Sequence, residues 1–258
     1  MSIENIILLS LIQGITEFLP VSSSAHLMLF PFLFHIADQG VIADVFAHIG
    51  SLLAVIYFYR KDVKKISLSL FDKKADRTMF YSIFVATLPI LFVGAFCFFS
   101  GLKFRNPKIV IYTSILFGSI FYLADKFGKK KLSIKKMSIK NAFYIGMCQV
   151  LSIIPGVSRS GITSTCGLVL KYKREDILKF SFLLSIPTII LAGGAGMLRF
   201  IINPQPIDLS PLILIMVFSF FFSIVTIKFM MLWIKHLSFK PFAIYRILLG
   251  IFLYFYLK

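Results

Sequence analysis

The segment QGITEFLPVSSSAH, residues 13–26, holds a carboxylate, a cluster of hydroxyls and an imidazole. Gln13 and Glu17 stand four residues apart, so on a helix they share a face. Pro20 ends that helix. Ser22, Ser23 and Ser24 follow, then His26. Serines also cap a following helix well, and a lone histidine is commonly structural. Together, a carboxylate that can act as base and a hydroxyl or imidazole that can attack make the parts of a hydrolytic site. The segment PGVSRSGIT, residues 155–163, has a different chemistry. Glycine permits close backbone approach, and the amides of a helix start favour an anion. Arg159 offers a planar fork that suits phosphate oxygens, and Ser158, Ser160 and Thr163 add hydroxyl donors. Arg159 could equally form a structural ion pair with Glu17, and both readings bring the two residues close. A phosphate ester or anhydride is the ligand that fits both halves.

The elements that must position these segments belong to a membrane protein. Of 258 residues, 58% are hydrophobic, 30 are Phe, and mean hydropathy is +0.89. Soluble chains average about 45–50% apolar, and here the apolar runs recur along the whole length. Six stretches approach the ~20 residues of a span: roughly 42–59, 78–99, 108–124, 177–198, 211–233 and 242–257. Two further regions, about 3–34 and 141–170, are apolar but broken at the two polar segments. Their flanks are too short to cross, which predicts re-entrant hairpins. The N-terminal MSIENIILLSLIQG lacks a basic region and a small-residue cleavage site, so a cleaved signal is not expected.

Net charge is +17. The charges sit in short loops between apolar runs, which excludes nucleic-acid binding as the reason for them. If both broken regions re-enter, 20 of the Lys and Arg residues fall on one side, in loops near 60–77, 126–140, 171–179 and 235–240. Lys103, Arg105, Lys108, Arg199 and Lys258 fall on the other. That is the asymmetry of cytoplasmic loops, with both termini outside. Cys97, Cys148 and Cys166 lie in apolar stretches without ligand spacing and read as small core residues.

The chain repeats itself at a shift of 136 residues. Gln13 meets Gln149, Val21 meets Val157, Ser22 meets Ser158 and Ser24 meets Ser160. Each broken region precedes three spans, so an odd number of crossings separates the hairpins and they enter from opposite faces. The expected fold is therefore all-α: one integral membrane domain over 1–258, with six transmembrane helices and two re-entrant hairpins in an inverted-topology repeat, its halves about 1–124 and 141–258. A carboxylate inside a bilayer costs ~2.5–3.5 kcal/mol on insertion scales, which makes Glu17 a functional candidate. His48, one turn after Asp44, either lines the cavity or packs a helix. Arg246, inside the last stretch, is expected to pair internally or reach the interface. His35 and His236 read as interfacial.

QGITEFLPVSSSAH and PGVSRSGIT resemble the two motifs of the undecaprenyl-diphosphate phosphatases, the bacitracin-resistance family. DVFAHIGSLLAV and FAIYRILLG resemble its patterns elsewhere, so the resemblance runs end to end. It implies a membrane hydrolase of undecaprenyl diphosphate, releasing undecaprenyl phosphate and inorganic phosphate and recycling the lipid carrier of cell-wall synthesis. It implies a bacterial plasma-membrane location, a site open to the outer face, a lipid partner and no nucleic acid, and it leaves a homo-oligomer open. It implies a site of Gln13, Glu17, Ser23, His26, Ser158, Arg159 and Thr163, with Ser22 and Ser160 beside them, and the nucleophile either Ser23 or His26. It also implicates a divalent cation, Mg²⁺ or Ca²⁺, with Glu17 a candidate ligand. Gln13 stands where other members carry glutamate, which leaves one carboxylate in the motif. The rival class is a transporter or flippase of a lipid-linked or small phosphate anion, since broken helices and inverted repeats also build transporters. A transporter needs the anion site but no nucleophile and base. A lipid phosphatase of the SRxxxxxHxxxD type is excluded, because Thr165 stands where its histidine would be.

Overall fold

Apolar side chains and polar end-caps turn most of the chain into helix. The structure, a computed structural model, describes residues 1–34, 38–72, 74–102, 106–204, 206 and 208–257. His35 and, from the charge count, Lys73, Lys103, Arg105 and Lys258 lie outside the described residues. The first half runs α1 (Ile3–Thr16), α2 (Ser23–Phe34), α3 (Gly40–Phe58), α4 (Arg60–Leu68), α5 (Thr78–Phe99) and α6 (Pro107–Phe127). The second runs α7 (Ile139–Val150), α8 (Arg159–Val169), α9 (Arg174–Ile202), α10 (Leu209–His236) and α11 (Lys240–Tyr256). Caps set several starts: Ser2 accepts from the Asn5 amide at 3.3 Å and Ser138 from the Asn141 amide at 3.1 Å. Asn106 caps α6, with Pro107 at its first position.

Among the described residues five helices, α3, α5, α6, α9 and α10, are long and apolar enough to cross a membrane. The sixth expected stretch is α11. Its 17 residues span about 26 Å at 1.5 Å each, at the lower limit for a span, and it carries the buried Arg246. α1, α2, α7 and α8 have 14, 12, 12 and 11 residues, so each is too short to cross unaided. Large apolar side chains such as Phe92, Phe99 and Phe255 face outward, as lipid contact requires.

The halves follow one plan. α7 starts 136 residues after α1, and α8 starts 136 after α2. Packing repeats as well: α1 lies on α10 and α7 on α5, while α3 meets α9 and α6 meets α11. Gly146 permits the α7–α5 approach, since a Cβ there would sit 2.5 Å from the Ala86 carbonyl oxygen. The ends of the bundle are tied by buried charge. Asp125 accepts from Arg174 at 2.5 and 3.1 Å and from the Phe239 amide at 3.1 Å, and also takes Lys130. One carboxylate thereby holds the loops after α6, α8 and α10.

Candidate active site

Each hairpin turns through a short irregular break whose last residue is a serine in the left-handed region. Ser22 has φ +82° and Ser158 φ +52°. Such values are uncommon away from glycine, and both serines use their polar groups locally. The Ser22 carbonyl accepts from the His26 amide at 3.3 Å and from His26 Nδ1 at 2.7 Å. Ser158 Oγ accepts from the Gly161 amide at 3.1 Å and so caps α8. Just before it, Gly156 has φ +88°, and a Cβ there would run into the Thr113 side chain. Thr113 Oγ1 in turn donates to the Pro155 carbonyl at 2.8 Å. The second break is thereby pinned against α6.

Glu17, one residue past α1, is where the two breaks meet. Its Oε1 accepts from Arg159 Nη2 at 2.9 Å. Its Oε2 accepts from Ser23 Oγ at 2.6 Å and from Gln13 Nε2 at 3.3 Å, and lies 3.5 Å from His48 Nε2. His48 Nδ1 is 2.7 Å from the Asp44 carbonyl. Both ring nitrogens of His48 thus face oxygen atoms. Gln13 also donates to Ser51 Oγ at 3.2 Å, and Ser51 accepts from Ser223 Oγ at 3.0 Å. Phe18, beside Glu17, packs edge-on against Phe182 of α9 at 5.2 Å and fixes the break to the core. The side chains of Glu17 and Arg159 are only 7% and 10% exposed, so the pair is nearly closed off.

Arg159 is the first residue of α8, and its second nitrogen, Nη1, donates to the Ser181 carbonyl of α9 at 2.9 Å. Thr163, one turn on, bonds Ser181 Oγ at 2.8 Å. Ser160 Oγ lies 3.3 Å from Ser158 Oγ and donates to the Leu19 carbonyl at 3.2 Å, which ties one break to the other. Beneath α8 lies Arg246, 1% exposed, donating from Nη2 to the Gly156 carbonyl at 2.7 Å. The internal pairing expected of it is to this carbonyl rather than to a carboxylate.

Of the residues singled out from sequence, Gln13, Ser23 and Arg159 converge on the Glu17 carboxylate. Ser158 and Ser160 flank the arginine in sequence, and Thr163 Oγ1 donates to its carbonyl at 2.9 Å. Ser22 pairs with Ser24 at 3.2 Å. His26 turns elsewhere: its Nε2 lies 2.7 Å from the Tyr245 hydroxyl of α11, and the rings stack at 5.8 Å. The imidazole beside Glu17 belongs to His48. Ser51, Ser181 and Ser223 escaped sequence reasoning. The missed signal was a polar stripe at helical spacing in apolar spans: Asp44, His48 and Ser51 in α3, Ser181, Ser185 and Thr188 in α9, and Ser219, Ser223 and Thr226 in α10.

The donor set does not suit a resident divalent ion. The described residues contain no group of three His, Cys, Asp or Glu placed to hold a metal. Glu17 is the one carboxylate here, and both its oxygens are engaged. Gln13 Oε1, from the glutamine bonded to Glu17, is buried and without a hydrogen-bond partner among the described residues. Mg²⁺ and Ca²⁺ ask for six or more oxygens.

Residues 6–252 match the family described as Bacitracin resistance protein BacA. A relative from Campylobacter curvus named Undecaprenyl-diphosphatase is 40% identical over 262 residues, covering 99% of each chain. Relatives of the same name from Alteromonas mediterranea and Dichelobacter nodosus are each 38% identical, over 258 residues (97% of each chain) and 265 residues (99% of each).

Proposed function

This chain belongs to the bacitracin resistance protein BacA family, and we propose that it hydrolyses undecaprenyl diphosphate to undecaprenyl phosphate and inorganic phosphate. The observation that carries this reading is the double engagement of Glu17, by the Ser23 hydroxyl at 2.6 Å and by Arg159 at 2.9 Å. A nucleophile, its base and a phosphate-binding fork share one carboxylate. The site therefore exceeds what a transporter needs.

In the resting state Arg159 neutralises Glu17. An incoming diphosphate competes for the guanidinium with more charge and better-matched oxygens. As Arg159 turns to the phosphate, Glu17 is released to act as base. Ser23 Oγ then attacks the terminal phosphorus and its proton passes to Glu17. Glu17 passes that proton to the bridging oxygen as its bond to phosphorus breaks, so undecaprenyl phosphate leaves and the carboxylate is free to act as base again. Water, deprotonated by Glu17, next attacks the phosphoserine; inorganic phosphate departs and the Ser23 oxygen regains a proton. Arg159, the hydroxyls of Ser158, Ser160 and Thr163 and the α8 amides stabilise charge on the transferring group. Gln13 orients Glu17. His26, held between Ser22 and Tyr245, keeps the first break in shape, which favours Ser23 over His26 as nucleophile.

A divalent ion, Mg²⁺ or Ca²⁺, enters this reading as part of the substrate, neutralising the diphosphate, with Glu17 and Gln13 Oε1 contributing at most two protein oxygens. We assign the chain to the bacterial plasma membrane, with the basic loops cytoplasmic and the hairpins entering from opposite faces. The site then opens to the outer leaflet, with the prenyl tail lying against the Phe- and Leu-rich spans. This location serves recycling of the carrier and accounts for bacitracin resistance.

Purified chain in detergent is expected to release phosphate from a polyprenyl diphosphate, with the rate rising until the divalent ion matches the diphosphate. No release under varied ions and detergents, with the protein demonstrably folded, would remove the enzyme reading. Stoichiometric ion binding to the substrate-free chain in equilibrium dialysis would remove the ion assignment alone.

A further inference from the structure

α4 plays no part in the chemistry above, yet it is a built feature. It begins two residues after the span α3 ends, which sets it at the membrane boundary. Val63 and Ile66 pack onto the main core cluster. Asp62 accepts from Lys179 of α9 at 2.7 Å, fastening the helix to the bundle. The loop after it is closed by Arg77, which donates to the carbonyls of Ser69 at 2.9 Å and of Leu70 and Asp72 at 3.3 Å. On the outward face, Lys61, Lys64, Lys65 and Leu68 follow one another at helical spacing. These four residues, with Ser69 and Asp72, line a groove of about 440 Å³. Asp72, whose carboxylate accepts from the Lys74 amide at 2.9 Å, sets one negative charge against three ammonium groups, so the groove is net positive. Leu68, Leu70 and Phe71 are exposed beside them, Phe71 at 86%.

Three ammonium groups over a groove, rimmed by apolar side chains at the edge of a span, match one kind of partner. We propose that the α4 groove seats the phosphate headgroup of an anionic glycerophospholipid, with Leu68, Leu70 and Phe71 reaching toward its acyl chains. Basic segments beside a span attract anionic lipid through their lysines, and an amphipathic helix adds apolar contact at the interface. A freely soluble anion would use the lysines but gain nothing from the exposed apolar residues, so a membrane lipid is the occupant that explains both. The lipid would fasten the amphipathic helix to the bilayer on the side carrying most of the basic loops.

The test compares full-length wild type with K61Q/K64Q/K65Q, after delipidation, in neutral detergent micelles doped with dioleoyl phosphatidylglycerol or dioleoyl phosphatidylcholine. Native mass spectrometry counts retained lipid, and the Tm in undoped detergent checks folding. Wild type is expected to retain phosphatidylglycerol in preference to phosphatidylcholine. The triple variant should bind phosphatidylglycerol about a hundredfold more weakly, with unchanged Tm and unchanged phosphate release. K135Q/K136Q/K140Q, which removes three exposed lysines elsewhere, should keep the preference. Equal losses in both triples would reduce the effect to general surface charge and overturn the site. No preference in wild type, or displacement of phosphatidylglycerol by millimolar inorganic phosphate, would overturn it too.

Discussion

Ser22 and Ser158, 136 residues apart, both have positive φ, and around them the two halves of the molecule share several contacts. Ser22 lies 3.2 Å from Ser24, and Ser158 lies 3.3 Å from Ser160. Gln13 bonds a hydroxyl of α3, Ser51, and Gln149 bonds a hydroxyl of α9, Thr188, at 3.3 Å. Of the positions at which the halves differ, two bear directly on the carboxylate. Glu17 in the first has Ile153 as its counterpart in the second, and Ser23 in the first has Arg159. Those two differences are the site: the carboxylate of one half is bonded by the residue that opens α2 and by the residue that opens α8. A shared scaffold holds the breaks in shape, and chemistry resides where the copies diverge.

Mutations at these positions should separate scaffold from chemistry. The largest effect is expected from the first half. Ser23→Ala and Glu17→Gln should each lower kcat by about 10³–10⁴-fold, and the double variant by little more, because nucleophile and base act as one unit. Ile153→Ala, at the position matching Glu17, should stay within about tenfold of wild type. A double variant whose losses multiply would separate the two roles, and an Ile153 effect as large as that of Glu17 would break the comparison. Next in size, Arg159→Lys keeps a cation beside Glu17 but loses the fork, and should lower kcat/KM by about 10²–10³-fold. Arg159→Ala would also leave Glu17 buried without its partner, at a cost of about 3–5 kcal/mol, so a fall in Tm should accompany it and not the lysine variant. The smallest contrast lies in the glutamines. Gln13→Ala should cost about tenfold in kcat, one hydrogen bond's worth. Gln149→Ala should lower Tm and leave kcat alone.

Much of this was legible in the sequence because it is local. The breaks show as Pro20 and Pro155-Gly156 inside apolar runs, and the repeat shows as a fixed offset. Glu17 and Arg159 show because charges in apolar surroundings are costly. Five of six expected spans match helices long and apolar enough to cross. The sixth, α11, is a 17-residue helix, and the partner of its Arg246, the Gly156 carbonyl, could be found only from the packing. Which imidazole meets the carboxylate was not legible. His26 is near Glu17 in sequence, but its position on α2 carries it to Tyr245. His48, 31 residues from Glu17, arrives through the packing of α3 against α1. Ser51 and Ser181 lie on polar stripes at helical spacing, which mark a face of a span, but only tertiary packing shows which partner each serine meets.

The central claim is that Ser23, activated by Glu17, takes the phosphoryl group before water does. Stereochemistry at the transferred phosphorus tests it most directly, using a polyprenyl diphosphate whose terminal phosphorus is made chiral with a sulfur and oxygen isotopes, hydrolysed in labelled water. Two successive in-line displacements, the first by Ser23 and the second by water, predict net retention. Net inversion would mean that water attacks in a single step, and would contradict the account.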